Sequence, residues 1–515
     1  MNESVVWTAC GCRWSGPGIG SGVLRSVVSA LLGLQLSGCV VGPAYRAPDL
    51  PSIDSFVHQP PTASAVAQPS DSEFWRSFGD PLLEQLVDAA LQNSSDLRLA
   101  YANHQAARAM WRASRAEQLP VITASAEARD TRAPVARSGG VGRADHEEYD
   151  VGLGAVWELD FFGRIQRGVE ASRADSEADE ADFAAAQVAV VGELAHSFLQ
   201  LRGWQAQLQV ARLNAEKLAR LQQLLQARLE AGLGSRFDVD RGRVLLEGQQ
   251  ARIPALEAEI AAASNRVAVL SGIAPQRVAA DLQAGGPLPA SMPVDSFAGT
   301  PGDLLRRRPD VRAAERRLAA ATARIGVATA DLFPRFSLAG LVGTNAWRAG
   351  DLFRRDSETR LLVLGVNGSF LNVARVRSQI AAADAVAAGA LARYDRAVLV
   401  ALEETENALV RVGRLERELV HLAQAVDAAV RAERTARIRL EQGAIDLLEF
   451  IDVERTRIEV EDLHLQGRRR HAQARVSLFR ALAGGWRTVP VSPLPALKGA
   501  RQDLESSSGP QTWRG

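Results

Sequence analysis

A chain of 515 residues carries 60 basic and 60 acidic side chains, 47% hydrophobic residues and only 5% aromatics. Zero net charge leaves no basic footprint for nucleic acid, and the apolar content excludes a disordered chain. The usage is rich in Ala, Leu, Arg and Glu, which favours long helices. No run of 18 apolar residues supplies a transmembrane helix. The three cysteines, Cys10, Cys12 and Cys39, all precede residue 40, so the remainder can hold neither a disulfide framework nor a thiolate metal site.

The N-terminus reads as an address. Arg25 is followed by an apolar stretch to Leu36, the length of a signal-peptide core. It ends in Leu36, Ser37, Gly38 and Cys39. That tetrapeptide resembles a bacterial lipoprotein signal, in which the cysteine thiol receives diacylglycerol. Residues 1–38 are therefore expected to be a signal peptide, with the translation start near Val23, and Cys39 to be the acylated first residue of the mature chain. Val40 in place of Asp after the cysteine implies sorting to the outer membrane. An extended segment is expected over 39–75.

Proline marks the architecture. Residues 135–253 and 335–489 contain none, and proline breaks helix interiors. Each block can hold one very long helix, from about Ile165 to Ala231 and from about Val376 to Glu441. At 1.5 Å per residue each would run roughly 100 Å. Both stop at glycine turns, with Gly232, Gly234 and Ser235 at the first and Gly443 and Asp446 at the second. Returning helices follow, ending near Gly272 and Gly484, with a kink expected at Pro254.

The two blocks belong to a tandem duplication. Residues 96–120 and 310–334 share eight identical positions of 25 at one ungapped offset, including Asp96 with Asp310 and Pro120 with Pro334. Gly232 and Gly443 are 211 apart, as are Arg164 and Arg375. Repetition in the same order implies two homologous halves. The expected organisation is a first repeat over 76–272, a Pro-rich connector over 273–302, a second repeat over 303–488 and a flexible tail over 489–515.

Within each half, two strands are expected before the long helix. The first pair is 121–126 and 149–160. In the latter Tyr149, Val151, Leu153, Ala155, Trp157 and Leu159 alternate with small or acidic residues. A period of two over twelve residues marks a membrane barrel strand, apolar outward and polar inward. Phe336–Gly343 and Leu361–Phe370 take the same places in the second half. Four strands cannot close a barrel, and an open edge in lipid is prohibitive. The sequence asks for an oligomer.

Four motifs carry a family resemblance: CVVGPAYRAP over Cys39–Pro48, FWRSFGDPL over Phe74–Leu82, WELDFFGR over Trp157–Arg164, and RRPDVRAAERRL over Arg307–Leu318 with Phe333–Arg335 beyond it. Over residues 39–488 the chain resembles the TolC/OprM-type outer-membrane efflux channel lipoproteins of the NodT-like branch. The resemblance implies a mixed α and β membrane protein. It would be a homotrimer with a twelve-stranded β-barrel, four strands per chain, on a long α-helical barrel in the periplasm. It implies a passive exit duct for drugs or other small toxic compounds, working with a periplasmic adaptor protein and an inner-membrane transporter. Two departures stand out: no glycine precedes Arg375, and Ala44 replaces a commonly acidic residue.

No enzyme motif is present. The seven histidines form no zinc pattern, and no phosphate loop or nucleophile elbow occurs. No cofactor is expected beyond a covalent lipid on Cys39. The informative cluster follows the second turn, where Leu448, Asp452 and Arg455 recur on one helix face. Threefold repetition would give an apolar, an acidic and a basic ring, and in the resembling family these motif positions close the periplasmic end. Arg455 is the expected counter-charge to the Asp452 ring, and the turn residues are the expected adaptor contacts. Two alternatives remain open: an exit duct for type I protein secretion, and a periplasmic coiled-coil lipoprotein without a pore.

Overall fold

A computed structural model of the chain describes residues 40–49, 55–58, 74–132, 145–288, 301–369 and 371–482. Cys39 and the expected signal segment and tail lie outside the described residues. After a 3-10 turn at Phe74–Phe78, the first half places α1 at Pro81–Asn93, α2 at Ser95–Ala116, β1 at Val121–Arg132 and β2 at Asp145–Leu159. It continues with α3 at Arg164–Glu230 and α4 at Arg236–Leu270. A short α5 at Pro275–Gln283 lies where only a Pro-rich connector was expected, because Pro275 occupies the first helical position, where its missing N–H costs nothing. The second half repeats the order: α6 at Pro301–Arg307, α7 at Pro309–Ala330, β3 at Arg335–Ala346, β4 at Glu358–Asn367, α8 at Val373–Glu441 and α9 at Leu447–Leu482.

The long helices are 67 and 69 residues, unbroken, as the proline-free blocks require. The helix α4 runs as one element from Arg236 to Leu270 with Pro254 inside it. The strands are longer than their apolar alternation. β1 runs on from Ala126 to Arg132 and β2 begins before Tyr149, because charged ends pair as readily as apolar middles when the ladder is antiparallel. β4 ends at Asn367 rather than Phe370.

The chain forms two compact units that cut across the repeats. One holds the described residues of 1–43, 115–168 and 323–382 and contains a four-stranded antiparallel sheet in the order β1-β2-β3-β4. Leu153 pairs with Ala124 on one side and Val342 on the other, and Val342 with Arg360. Chain from the N-terminal segment is pinned into this unit. The Val41 N–H donates to the Phe162 carbonyl at 3.2 Å, and the Arg167 guanidinium donates to the carbonyls of Val41 and Gly42. A Cβ on Gly42, whose φ is +88°, would stand 2.5 Å from the Gly326 Cα. Only glycine allows that approach.

The other unit is helical. Its core gathers Leu194, Phe198, Leu199 and Leu201 of α3 with Leu83 and Val87 of α1, Val267 of α4, Leu282 of α5 and Val476 of α9. Each such burial stabilises by about 1.5–3 kcal/mol. The aromatic motif Phe74, Trp75 and Phe78 closes this core, with Phe74 stacked on Phe479 at 4.8 Å. Tyr45 packs on Ala174, Ala319 and Ala320 and donates to Glu315, while Arg316 lies over its ring at 5.5 Å. Burial pushes the Tyr45 hydroxyl pKa up, and the bond to Glu315 raises it further. Burial also works against the Glu315 carboxylate, but hydrogen bonds from Arg316 and Tyr45 outweigh it and hold its pKa below the ordinary value.

Candidate functional site: a two-faced sheet and paired helical turns

The register divides the sheet into two chemically distinct faces. One face carries Ile122, Ala124 and Ala126 of β1, Val151, Leu153, Ala155 and Trp157 of β2, Phe336, Leu338 and Val342 of β3, and Leu362, Leu364 and Val366 of β4. The opposite face carries Thr123, Ser125, Gly152, Gly154, Glu158, Ser337 and Asn345, interspersed with Val121, Val156, Leu341, Leu361 and Val363. At one end of that face, Arg129 pairs with Glu127 at 2.6 Å and approaches Glu148 at 3.6 Å. Asn345 donates there to Glu148 and Asp150. An apolar face of many large side chains left uncovered, with Leu153, Leu362 and Leu364 each more than half exposed, is what a lipid-facing strand set presents. Twelve residues of strand span roughly 40 Å, or about 30 Å when tilted as barrel strands are, which matches a hydrocarbon core. β1 and β4 are edge strands in this sheet.

The second constellation lies where each long helix turns back. At the first turn, the N–H groups of Gly232 and Leu233 donate to the carbonyls of Leu229 and Arg228. At the second, those of Gly443 and Ala444 donate to Leu440 and Arg439. The glycines have φ of 72° and 69°, so both ends are the left-handed cap that closes a helix. Ser235 then caps α4 in a reciprocal pair with Asp238, and Asp446 caps α9 by accepting from the Glu449 N–H at 2.8 Å. Every step occurs 211 residues apart. Gly234 lies between these caps, packed on Arg228 and Leu229. Leu225, Val239 and Ile451 are buried together beneath the turns.

The three residues placed on one face of the returning helix sit in its first turns. Leu448 is half-buried and Asp452 and Arg455 are exposed. Two cations share the carboxylate on that face. Asp452 Oδ1 takes its close cation from Arg241 of α4 at 2.9 Å, whereas the Arg455 guanidinium stands 4.0 Å from the same oxygen and 3.9 Å from Glu459. Arg455 was singled out because it lies close in sequence. Arg241 was missed although its offset from Asp452 is also 211, so the two repeats put opposite charges at one equivalent position and join them there. A turn and more further on, the buried Arg457 binds Glu454 at 2.7 Å, Glu461 at 2.8 Å and the Asn214 side-chain oxygen of α3 at 2.8 Å.

Among the described residues, no helix is long and apolar enough to cross a membrane, and no group of three or more His, Cys, Asp or Glu could hold a metal. The two-faced sheet is the arrangement expected of an outer-membrane channel protein. The family described as outer membrane efflux protein matches residues 86–273 and 300–484, and the chain belongs to it. It is similar to the solvent efflux pump outer membrane protein SrpC of Pseudomonas putida, at 31% identity over 88% of this chain and 97% of that one. It is likewise similar to outer membrane protein OprJ of Pseudomonas aeruginosa, at 32% identity over 89% and 96%. Among solved structures, the outer-membrane channel OprN aligns at 39% identity with a TM-score of 0.81, covering 87% of this chain and all of that one. The open state of the Neisseria gonorrhoeae MtrE outer membrane channel aligns at 26% identity, with a TM-score of 0.79, over 87% and 99%. The protein is an outer-membrane efflux component, a transport duct and not an enzyme.

Proposed function

We propose that three copies of this chain close a twelve-stranded barrel and form the exit duct of a tripartite pump. The duct is anchored by lipid on Cys39 and accepts small toxic compounds from a periplasmic adaptor and an inner-membrane transporter. The observation that carries this reading is the four-stranded sheet with one face dominated by large apolar side chains, an opposite face that bears the glycines and most of the polar and charged ones, and two open edges. Lipid satisfies no backbone groups, so the edges must pair with other copies, and the polar faces then line a water-filled passage. Relatives named for solvent, antibiotic and pyoverdine export point to compounds of that size and kind. The chain supplies no energy of its own, so the driving force comes from the transporter.

The turns at Gly232, Gly234, Ser235, Gly443 and Asp446 are the proposed adaptor contacts, and Leu448, Asp452 and Arg455 form the proposed constriction, with Arg241 as an added member. Purified protein should run as a trimer by native mass measurement and conduct in planar bilayers. A folded trimer that leaves bilayers silent would refute the duct. Cys39→Ala should abolish acyl labelling, and wild-type chain without lipid by mass spectrometry would refute the anchor.

A further inference from the structure

The helical unit carries arginines that its own carboxylates leave unmatched. Asn407, Arg411, Arg414 and Glu418 of α8 follow spacings of four, three and four, so they share one helix face. Arg470, Gln473 and Ser477 of α9 stand at spacings of three and four, and the two sets line one recess of about 560 Å³. His196 of α3 also borders it, and the buried Leu415 and Ala474 form its floor. An adjoining recess of about 190 Å³ shares Asn407, Arg411 and Ser477 and brings in Arg480.

Charge is not balanced there. Glu418 takes Arg470 at 2.6 Å, and Glu404, the other carboxylate of the two recesses, takes Arg308 at 2.7 Å. Arg411, Arg414 and Arg480 are exposed, and none of them forms an ion pair with a carboxylate of the described residues. Other exposed arginines of the long helices do find one: Arg212 reaches Glu257 at 2.7 Å, and Arg437 pairs with Glu433. The fold does not demand these charges either. At the offset of 211 the counterparts of Asn407, Arg411, Arg414 and Glu418 are His196, Gln200, Gly203 and Gln207, which build the same helix with no charge at the two arginine positions. The recess also opens away from the short segments that cover these helices. Leu409 and Val412 of α8 cluster with Phe56 and Leu304, and Phe479 of α9 stacks on Phe74, on other sides of the two helices.

We infer that this recess binds an organic anion, a compound with a carboxylate, phosphate or sulfonate group on an apolar body. Guanidinium forks hold such groups through paired N–H donors. Asn407, Gln473 and Ser477 can add neutral hydrogen bonds, and Val410 and Leu415 offer apolar contact. The volume falls within the roughly 300–1,000 Å³ of small-molecule sites. This rests on the proposed duct and names a cargo class for it. With the short segments on one side of α8 and α9, three copies would turn the other side to the passage, and each copy would contribute its three unmatched arginines. Exposed cations give weak, salt-sensitive binding, which lets a cargo enter and leave again.

Equilibrium dialysis of the full-length trimer in non-ionic detergent tests the site, with naphthalenedisulfonate as the probe. Wild-type protein should retain it, less so as salt rises, whereas a naphthalene of the same shape bearing two ammonium groups should pass freely. Arg411→Gln/Arg414→Gln/Arg480→Gln protein should bind the disulfonate roughly tenfold more weakly or worse. Ser477→Trp fills the recess, leaves every arginine in place and should have the same effect, while Arg220→Gln, on an exposed stretch of α3, should bind as wild type. No retention by wild-type protein, equal retention of the two probes, or unchanged affinity in both the triple variant and Ser477→Trp overturns the anion site. If that protein is a trimer by native mass and conducts in bilayers, the duct stands. A folded monomer, or a trimer silent in bilayers, that still retains the disulfonate overturns the duct and keeps the anion site.

Discussion

At the scale of single residues, the charges beside the turns would give the proposed constriction a closing device of modest strength. An exposed ion pair such as Arg241 with Asp452 contributes about 0–1 kcal/mol, and the proposed ring of three copies would triple it. Arg241→Glu should therefore raise conductance by placing like charges 2.9 Å apart where attraction stood. Exchanging the pair, Arg241→Asp with Asp452→Arg, should restore the resting value. Arg455→Glu should act more weakly than Arg241→Glu, because Arg455 stands at 4.0 Å. Equal effects in bilayer recordings would return Arg455 to the leading role. Arg457 is a different case, buried with Glu454 at 6% exposure each. Arg457→Ala strands a buried carboxylate and should cost about 3–5 kcal/mol, read from helical unfolding in denaturant. Conductance of the channels that still assemble should change little.

At the scale of elements, the turns depend on backbone shape more than on side chains. Gly443 holds φ of 69°, which a side chain resists by about 1–2 kcal/mol. Gly443→Ala should lower stability by that amount, whereas Ala444→Gly next to it should not, and thermal melts of the two variants compare them directly. These turns were legible in the sequence because glycine and proline leave a mark wherever they stand, and a repeat doubles the mark. The long helices and both caps were readable for the same reason, and the strand β2 from its period of two. Less could be read where pairing rather than composition decides. The charged ends of β1 and β2 look like loop until a partner strand satisfies them, and α5 hides behind Pro275. The Arg241–Asp452 contact needs two helices 211 residues apart to be laid side by side. Proximity in sequence instead suggested Arg455.

At the scale of the whole molecule, three histidines give the helical body an acid limit. His471 is buried beside Arg475, and Glu416 stands 3.6 Å from its Nε2, too far for a hydrogen bond. Burial, then Arg475, push its pKa below the ordinary value against the pull of Glu416. Burial does the same at His196 and His464. A depressed pKa means that the unfolded chain binds protons that the folded chain refuses. Stability from these sites is complete above about pH 6.5 and is lost as pH falls below it towards the folded pKa values. Melting temperatures measured from pH 7.5 to 5 should fall, and His471→Gln should flatten the decline. An unchanged slope would place the acid sensitivity elsewhere.

The open edges of the sheet have a genetic consequence. A strand edge admits no vacancy in lipid, so the proposed ring of three would be either complete or useless, and one faulty subunit would spoil the two sound ones beside it. A variant that folds and joins the ring but blocks the passage would therefore be dominant. Expressed in equal amount with the normal chain and mixing at random, it would leave about one ring in eight intact. A cell carrying both copies would then lose most of its export capacity while still making half its normal complement of sound protein.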